Sequence, residues 1–262
     1  MTADRDPAPS ATRGRVVAVA SGKGGVGKTW FAITLAHALA RAGERVLLFD
    51  GDLGLANVDI QLGLLPERDL GAVAAGRAAL AEATLCFAAG GFDILAGRSG
   101  SGALSALDPA TIERMLAELR AAAIRYDTIV LDLGAGLDRA VRRMSAAADI
   151  LLVLATDEPT SLTDAYAVLK LHATDRADGD ARLVVNQAPT RTAGEKTFAT
   201  LARACEAFLH RSPPLAGVIR RDERVRDAIR RQVPLLTRHP ASVAAEDVEA
   251  IAARLTRARL PA

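Results

Sequence analysis

The chain has 262 residues, 50% of them hydrophobic and only 3% aromatic, with a formal net charge of +2. That length suits one α/β domain with a large sheet, and the near-balanced charge gives no general argument for nucleic-acid binding. Two cysteines, Cys86 and Cys205, lie far apart and outside any CxxC, which excludes a disulfide framework and a cysteine-ligated metal; both are expected to be buried thiols in a reducing compartment.

Residues 1–13 are polar and rich in Pro, Ala and Asp, which predicts a disordered tail rather than a signal peptide or anchor. The domain is expected to run from 14 to 262. No apolar run reaches the roughly 20 residues that span a bilayer, so a soluble, cytoplasmic protein is expected.

Val16–Ala20 is a run of small and β-branched residues without alternation, the pattern of a strand buried on both faces. Glycine-rich Ser21–Gly27 follows. Phe31, Leu35, Ala38 and Leu39 then recur at helical spacing up to Gly43. Arg45–Asp50 predicts a second strand and Phe92–Leu95 a short third one. Asp108 before Pro109 predicts an N-cap, with Ile112, Met115, Leu116 and Leu119 on the inner face of that helix. Thr128–Asp132, Asp149–Ala155, Arg182–Asn186 and Leu215–Ile219 read as further strands. Helices are expected over Pro159–Leu171, Glu195–Leu209, Arg224–Arg231 and, at the C-terminus, about 242–257. This alternation predicts a mostly parallel sheet flanked by helices on both faces, with ligands at the C-terminal strand ends.

Gly22-Lys23-Gly24-Gly25-Val26-Gly27-Lys28-Thr29 fits G-x-x-x-x-G-K-[ST] between a buried strand and a helix, the context that a phosphate-binding (P-loop) NTPase requires. Glycines let successive backbone N–H groups point at phosphate oxygens, and the helix N-terminus adds partial positive charge. Lys28 is expected to reach the β- and γ-phosphates and the Thr29 hydroxyl to coordinate Mg²⁺.

Asp50, Asp52 and Asp132 sit at strand ends, where carboxylates hold metal-bound water or orient the attacking water. Asp132 is expected to support the metal. Asp50 reads equally as a turn cap and as a carboxylate set one step back from the metal. Gly134-Ala135-Gly136 is expected to be a mobile loop.

The string KGGVGKT, with its additional Lys23, resembles the deviant Walker A loop of the MinD/ParA/nitrogenase-iron-protein family. The resemblance implies an ATP- and Mg²⁺-dependent homodimer in which Lys23 reaches the partner's nucleotide. It implies a metal and attacking-water role for Asp52, and base contacts from Asn186 and Asp222. Trp30, the last residue of the expected nucleotide-binding segment Ser21–Trp30, stands where a small or polar residue is more usual and suits packing against the helix, and Asp132-Leu133-Gly134 departs from the family's usual sequence. No NKxD string supports guanine.

Asp52–Gly63 (DLGLANVDIQLG) and Thr156–Tyr166 (TDEPTSLTDAY) resemble the flagellar-number regulator branch of that family (FlhG, FleN, YlxH). This likeness runs from about residue 15 to about 250. It implies an ATPase switch whose partners include a FlhF-like GTPase, a C-ring component or a transcription activator. The tail lacks the glutamine-containing helical motif with which some members stimulate that GTPase.

Two surface questions stay open at this level. The stripe Val248, Ile251, Ala252 and Leu255, with Arg254, Arg257 and Arg259 nearby, suits packing on the domain or an amphipathic contact with the inner membrane face. The Arg220–Arg231 tract suits a solvated helix face or DNA binding of the partition-ATPase kind.

Overall fold

The structure is a computed structural model describing residues 13–52, 56–97 and 108–257. Its elements in chain order are β1 (Arg15–Ser21), α1 (Lys28–Arg41), β2 (Val46–Gly51), α2 (Val58–Leu62), α3 (Leu70–Ala74), α4 (Leu80–Ala83), β3 (Leu85–Phe87), β4 (Phe92–Leu95), α5 (Pro109–Ala122) and β5 (Thr128–Ala135). There follow α6 (Arg139–Ala147), β6 (Ile150–Ala155), α7 (Pro159–Asp175), β7 (Asp180–Ala188), α8 (Arg191–Leu209), β8 (Leu215–Arg220), α9 (Glu223–Arg230), α10 (Leu235–Arg238) and α11 (Val243–Arg257).

Eight strands form one sheet in the order β3-β4-β2-β5-β1-β6-β7-β8, parallel except for β3. The non-alternating apolar runs are explained by helices on both faces. Val16, Ala18 and Ala20 of β1 join Leu47, Phe49, Ile129, Leu131 and Leu151 under α5 to α8. Val17 and Val19 point the other way, into a core with Leu48, Val130 and Leu152 under α1 and α11.

Asp108 caps α5 by accepting the Thr111 N–H (3.0 Å), and Ile112, Met115, Leu116 and Leu119 are all buried. The C-terminal stripe is spent on the domain: Val248, Ile251, Ala252 and Leu255 are each at most 2% exposed and lie in the α1 core. They are therefore not an apolar face for a membrane; Arg259 lies outside the described residues. Among the described residues no helix is long and apolar enough to cross a membrane.

Several expectations are corrected. Phe92–Leu95 is the fourth strand, because a three-residue antiparallel edge strand, β3, precedes it. On that edge Cys86 is exposed, whereas Cys205 is buried as expected. α6 is an additional helix, capped by Asp138 through the Ala140 and Val141 N–H groups, with Val141 and Met144 buried beneath its arginines. Gly134 and Ala135 belong to β5 and not to a loop, because Ala135 pairs with Ser21; the chain turns only at Gly136 (φ +109°). Of the tail expected to be disordered, residues 1–12 lie outside the described residues, and Arg13 pairs with Asp149 at 2.7 Å.

Candidate active site

The turn from β1 into α1 lies at the C-terminal edge of the sheet, where its two neighbours β5 and β6 also end. Gly25 (φ +79°) and Gly27 (φ +91°) adopt left-handed conformations that disfavour any side chain. The Ser21 hydroxyl pins the loop by donating to the Lys23 carbonyl (2.6 Å). Gly27 accepts the Phe31 N–H (3.0 Å) but offers no side-chain cap, so the first N–H groups of α1 are left for an anion.

Lys28 is 8% exposed. Burial lowers the pKa of its ammonium, while the carboxylates of Asp132 and Asp52 pull it back up. Asp132 on β5 stands directly across from Asp50 on β2, and both are buried. Burial pushes the Asp132 carboxyl up to about 7; the neighbouring Thr29 hydroxyl and Lys28 ammonium oppose that rise and Asp52 adds to it. Both Asp132 oxygens are buried without a hydrogen-bond partner. A buried carboxylate with open lone pairs beside a threonine hydroxyl fits a hydrated Mg²⁺, which would relieve the desolvation that now raises its pKa.

Asp50 is raised further, to about 8, by its own burial and then by Asp132. It accepts the Asp52 N–H through Oδ1 (3.3 Å) and the Val58 N–H through Oδ2 (3.2 Å). Asp50 therefore holds the backbone of both Asp52 and Val58. Asp52 itself lies against β5, with its Oδ1 3.3 Å from where a Cβ on Gly134 would stand.

Beyond the loop is a cavity of about 430 Å³ whose lining includes Gly25, Gly27, Trp30, Asn186, Gln187 and Asp222. Asn186, expected to meet the base, is 3% exposed and braces the loop: its Nδ2 donates to the Val26 carbonyl (2.8 Å) while its Oδ1 accepts the Gln187 N–H (2.9 Å). One amide hydrogen stays available. Asp222 caps α9 through Oδ1 and the Arg224 N–H (3.0 Å), leaving Oδ2 buried and unpartnered. Gln187 holds φ +58°, a left-handed position that no sequence signal announced. A second cavity, of about 240 Å³, is lined by His172, Asp180 and Cys205 at the opposite end of the strands, away from all these groups.

Lys23 does not enter the cavity lining. Its Nζ donates to Glu158 Oε2 (2.6 Å) and Thr160 Oγ1 (3.0 Å) at the start of α7 in the same chain.

An anion-binding turn on the switch edge of a parallel sheet, with a buried lysine and a metal-ready aspartate beneath it, defines a nucleotide-binding ATPase fold. Residues 17–235 match the CobQ/CobB/MinD/ParA nucleotide-binding domain, and the chain belongs to that family. It is 39% identical to the antiactivator FleN of Pseudomonas aeruginosa over 95% of this chain and 88% of FleN. It is 29% identical to the flagellum site-determining protein YlxH of Helicobacter pylori over 73% of this chain and 64% of that one. The septum site-determining protein MinD of Pyrococcus horikoshii, solved with Mg-ADP, superposes with a TM-score of 0.78 at 25% identity, covering 93% of this chain and 96% of that one. The family's domain is nucleotide-binding and the Pyrococcus horikoshii relative holds Mg-ADP, which supports ATP with Mg²⁺ as the ligand pair of this chain and ATP hydrolysis as its reaction.

Proposed function

We propose that the chain is a slow ATPase that dimerises in its ATP state and acts as a switch over flagellar number, placement or gene expression. The observation that carries this reading is the buried Lys28–Asp132 pair beneath the glycine turn, in a chain that aligns with FleN almost end to end. The N–H groups of Gly22–Thr29 cradle the phosphates. Lys28 neutralises charge developing on the β- and γ-oxygens, and Thr29, with Asp132 behind it, holds Mg²⁺. Mg²⁺ held there would supply charge neutralisation to the phosphates. Asp52, fixed by Asp50, orients the attacking water. Asn186 and Asp222 contact the base. Lys23 leaves Glu158 and completes the partner's site when two chains close face to face.

The partner is a flagellar component: a FlhF-like GTPase, a C-ring protein or a transcription activator. The likeness to FleN, an antiactivator, also favours a second reading, a nucleotide-gated antiactivator with negligible turnover. Steady-state ATP turnover separates the two. The first expects turnover that falls by at least about tenfold in Asp52→Ala, whereas the second expects none in either protein. Loss of ATP binding in Lys28→Gln tests the site itself; normal binding and hydrolysis in that variant would sink the whole assignment.

A DNA-binding partition role is the less favoured alternative. Within the Arg220–Arg231 tract, Arg220 is engaged with Asp247 (2.8 Å) and Arg226 with Glu223 (3.4 Å).

A further inference from the structure

Trp30 is the chain's single tryptophan. It sits in the first turn of α1, two residues after Lys28, and is 6% exposed. Its ring belongs to an apolar cluster with Val26 and Ile219, against which Val225 and Ile229 of α9 pack. Of these, Trp30, Ile219, Val225 and Ile229 line the 430 Å³ cavity together with Asn186 and Asp222. Packing alone accounts for the ring, but it does not account for the ring nitrogen. Nε1 is buried with no hydrogen-bond partner. An indole N–H can only donate, and a buried donor left unpaired costs free energy until an acceptor arrives.

The cavity holds the complementary group as well. Asp222 Oδ2 is buried without a partner and can only accept once ionised. The two residues that carry this unpaired donor and this unpaired acceptor, Trp30 and Asp222, therefore line a single cavity next to the phosphate loop, with both atoms buried in its wall. Adenine offers the matching pair, because its ring nitrogens accept and its 6-amino group donates. Hypoxanthine and guanine replace that 6-amino donor with a carbonyl oxygen, an acceptor that cannot pair with an ionised Asp222 carboxylate.

We infer that Trp30 is a base-reading residue: its indole N–H donates to a ring nitrogen of adenine, opposite Asp222, and so helps to set adenine specificity. This rests on the nucleotide-binding reading and names one determinant of it. Because the indole N–H is buried, pairing with a base requires the cavity wall around the indole to shift. The sole fluorophore of the tryptophan class thereby reports directly on base binding.

The test compares the parent and Trp30→Phe, which keeps an aromatic ring and removes the donor. Calorimetry is run with Mg-ADP, Mg-IDP and magnesium tripolyphosphate, and thermal unfolding is followed without ligand. The expected result is ADP affinity weakened about three- to tenfold in Trp30→Phe. Tripolyphosphate affinity stays within about twofold, the preference for ADP over IDP shrinks, and the ligand-free melting temperature is equal or higher because an unpaired buried donor is gone. A residue that only packs would instead lower the melting temperature and leave the ADP-to-tripolyphosphate ratio unchanged; that result overturns the inference. Should Trp30→Phe fail to fold, tryptophan emission of the parent decides: a change on saturation with ADP but not with tripolyphosphate supports it, and flat emission while calorimetry records ADP binding overturns it. If the parent binds neither ADP nor tripolyphosphate, the nucleotide reading itself falls.

Discussion

Lys23 Nζ lies 2.6 Å from Glu158 Oε2, so the second lysine of the phosphate loop is bonded within its own chain. The two side chains are 38% and 60% exposed, and an exposed pair of this kind contributes about 0.2–1 kcal/mol. That is small enough to be broken by any interface offering Lys23 a phosphate. Lys23→Ala is expected to leave the folded monomer and its ADP affinity within about threefold of the parent, while ATP-dependent association is lost. Calorimetry and sedimentation on the same sample check both halves.

The loop glycines differ in what they tolerate. A Cβ on Gly27 would stand 2.7 Å from Asn186 Nδ2, at φ +91°, whereas a Cβ on Gly24 meets nothing within 4 Å. Gly27→Ala should therefore destabilise the fold by about 1–3 kcal/mol, and Gly24→Ala by less than about 0.5 kcal/mol. Urea unfolding of the two variants measures the contrast.

His37 on α1 is 5% exposed, its Nδ1 has no partner, and burial, with Arg41 nearby, pushes its pKa down to about 4. The unfolded chain binds this proton near pH 6.5 and the folded one does not. Stability is thus present above pH 6.5 and is lost as pH falls towards 4, by about 3 kcal/mol in all. His37→Leu should flatten that part of the stability–pH curve.

Asp132 has the opposite sign. Its folded pKa of about 7 exceeds the unfolded value near 3.8, so the stability it contributes without nucleotide is present below pH 4 and declines as pH rises to 7. Asp132→Asn is expected to raise the melting temperature of the nucleotide-free protein at pH 8 and to lower ATP turnover by at least about tenfold. A melting temperature that falls at pH 8 and not at pH 5 would contradict this.

Thiol chemistry gives a quick check on the fold. Cys86 is exposed on the sheet edge, and burial pushes the Cys205 thiol up to about 11. A disulfide reagent should modify one thiol rapidly in native protein and the second only on unfolding.

Much of this architecture is legible because strands buried on both faces appear as unbroken apolar runs, as at Val16–Ala20 and Ile150–Ala155. The phosphate loop is legible because its chemistry is confined to eight consecutive residues. What escaped sequence reading is short or distant. β3 has three residues, and the nine-residue α6 buries only Val141 and Met144 as large apolar side chains. The Lys23–Glu158 contact joins positions 135 apart, and the Asn186 brace on Val26 joins positions 160 apart. The extension of β5 through Ala135 depends on pairing with Ser21, which no local pattern encodes.

The central claim is a nucleotide-dependent change of assembly, and light scattering of Asp52→Ala tests it most directly. The chain mass is 27.4 kDa. With Mg-ADP the scattering mass should stay at that value, and with Mg-ATP, trapped by slow hydrolysis, it should double. An unchanged monomer mass with Mg-ATP, in a sample that calorimetry shows to be saturated, would contradict the switch and remove the role proposed for Lys23.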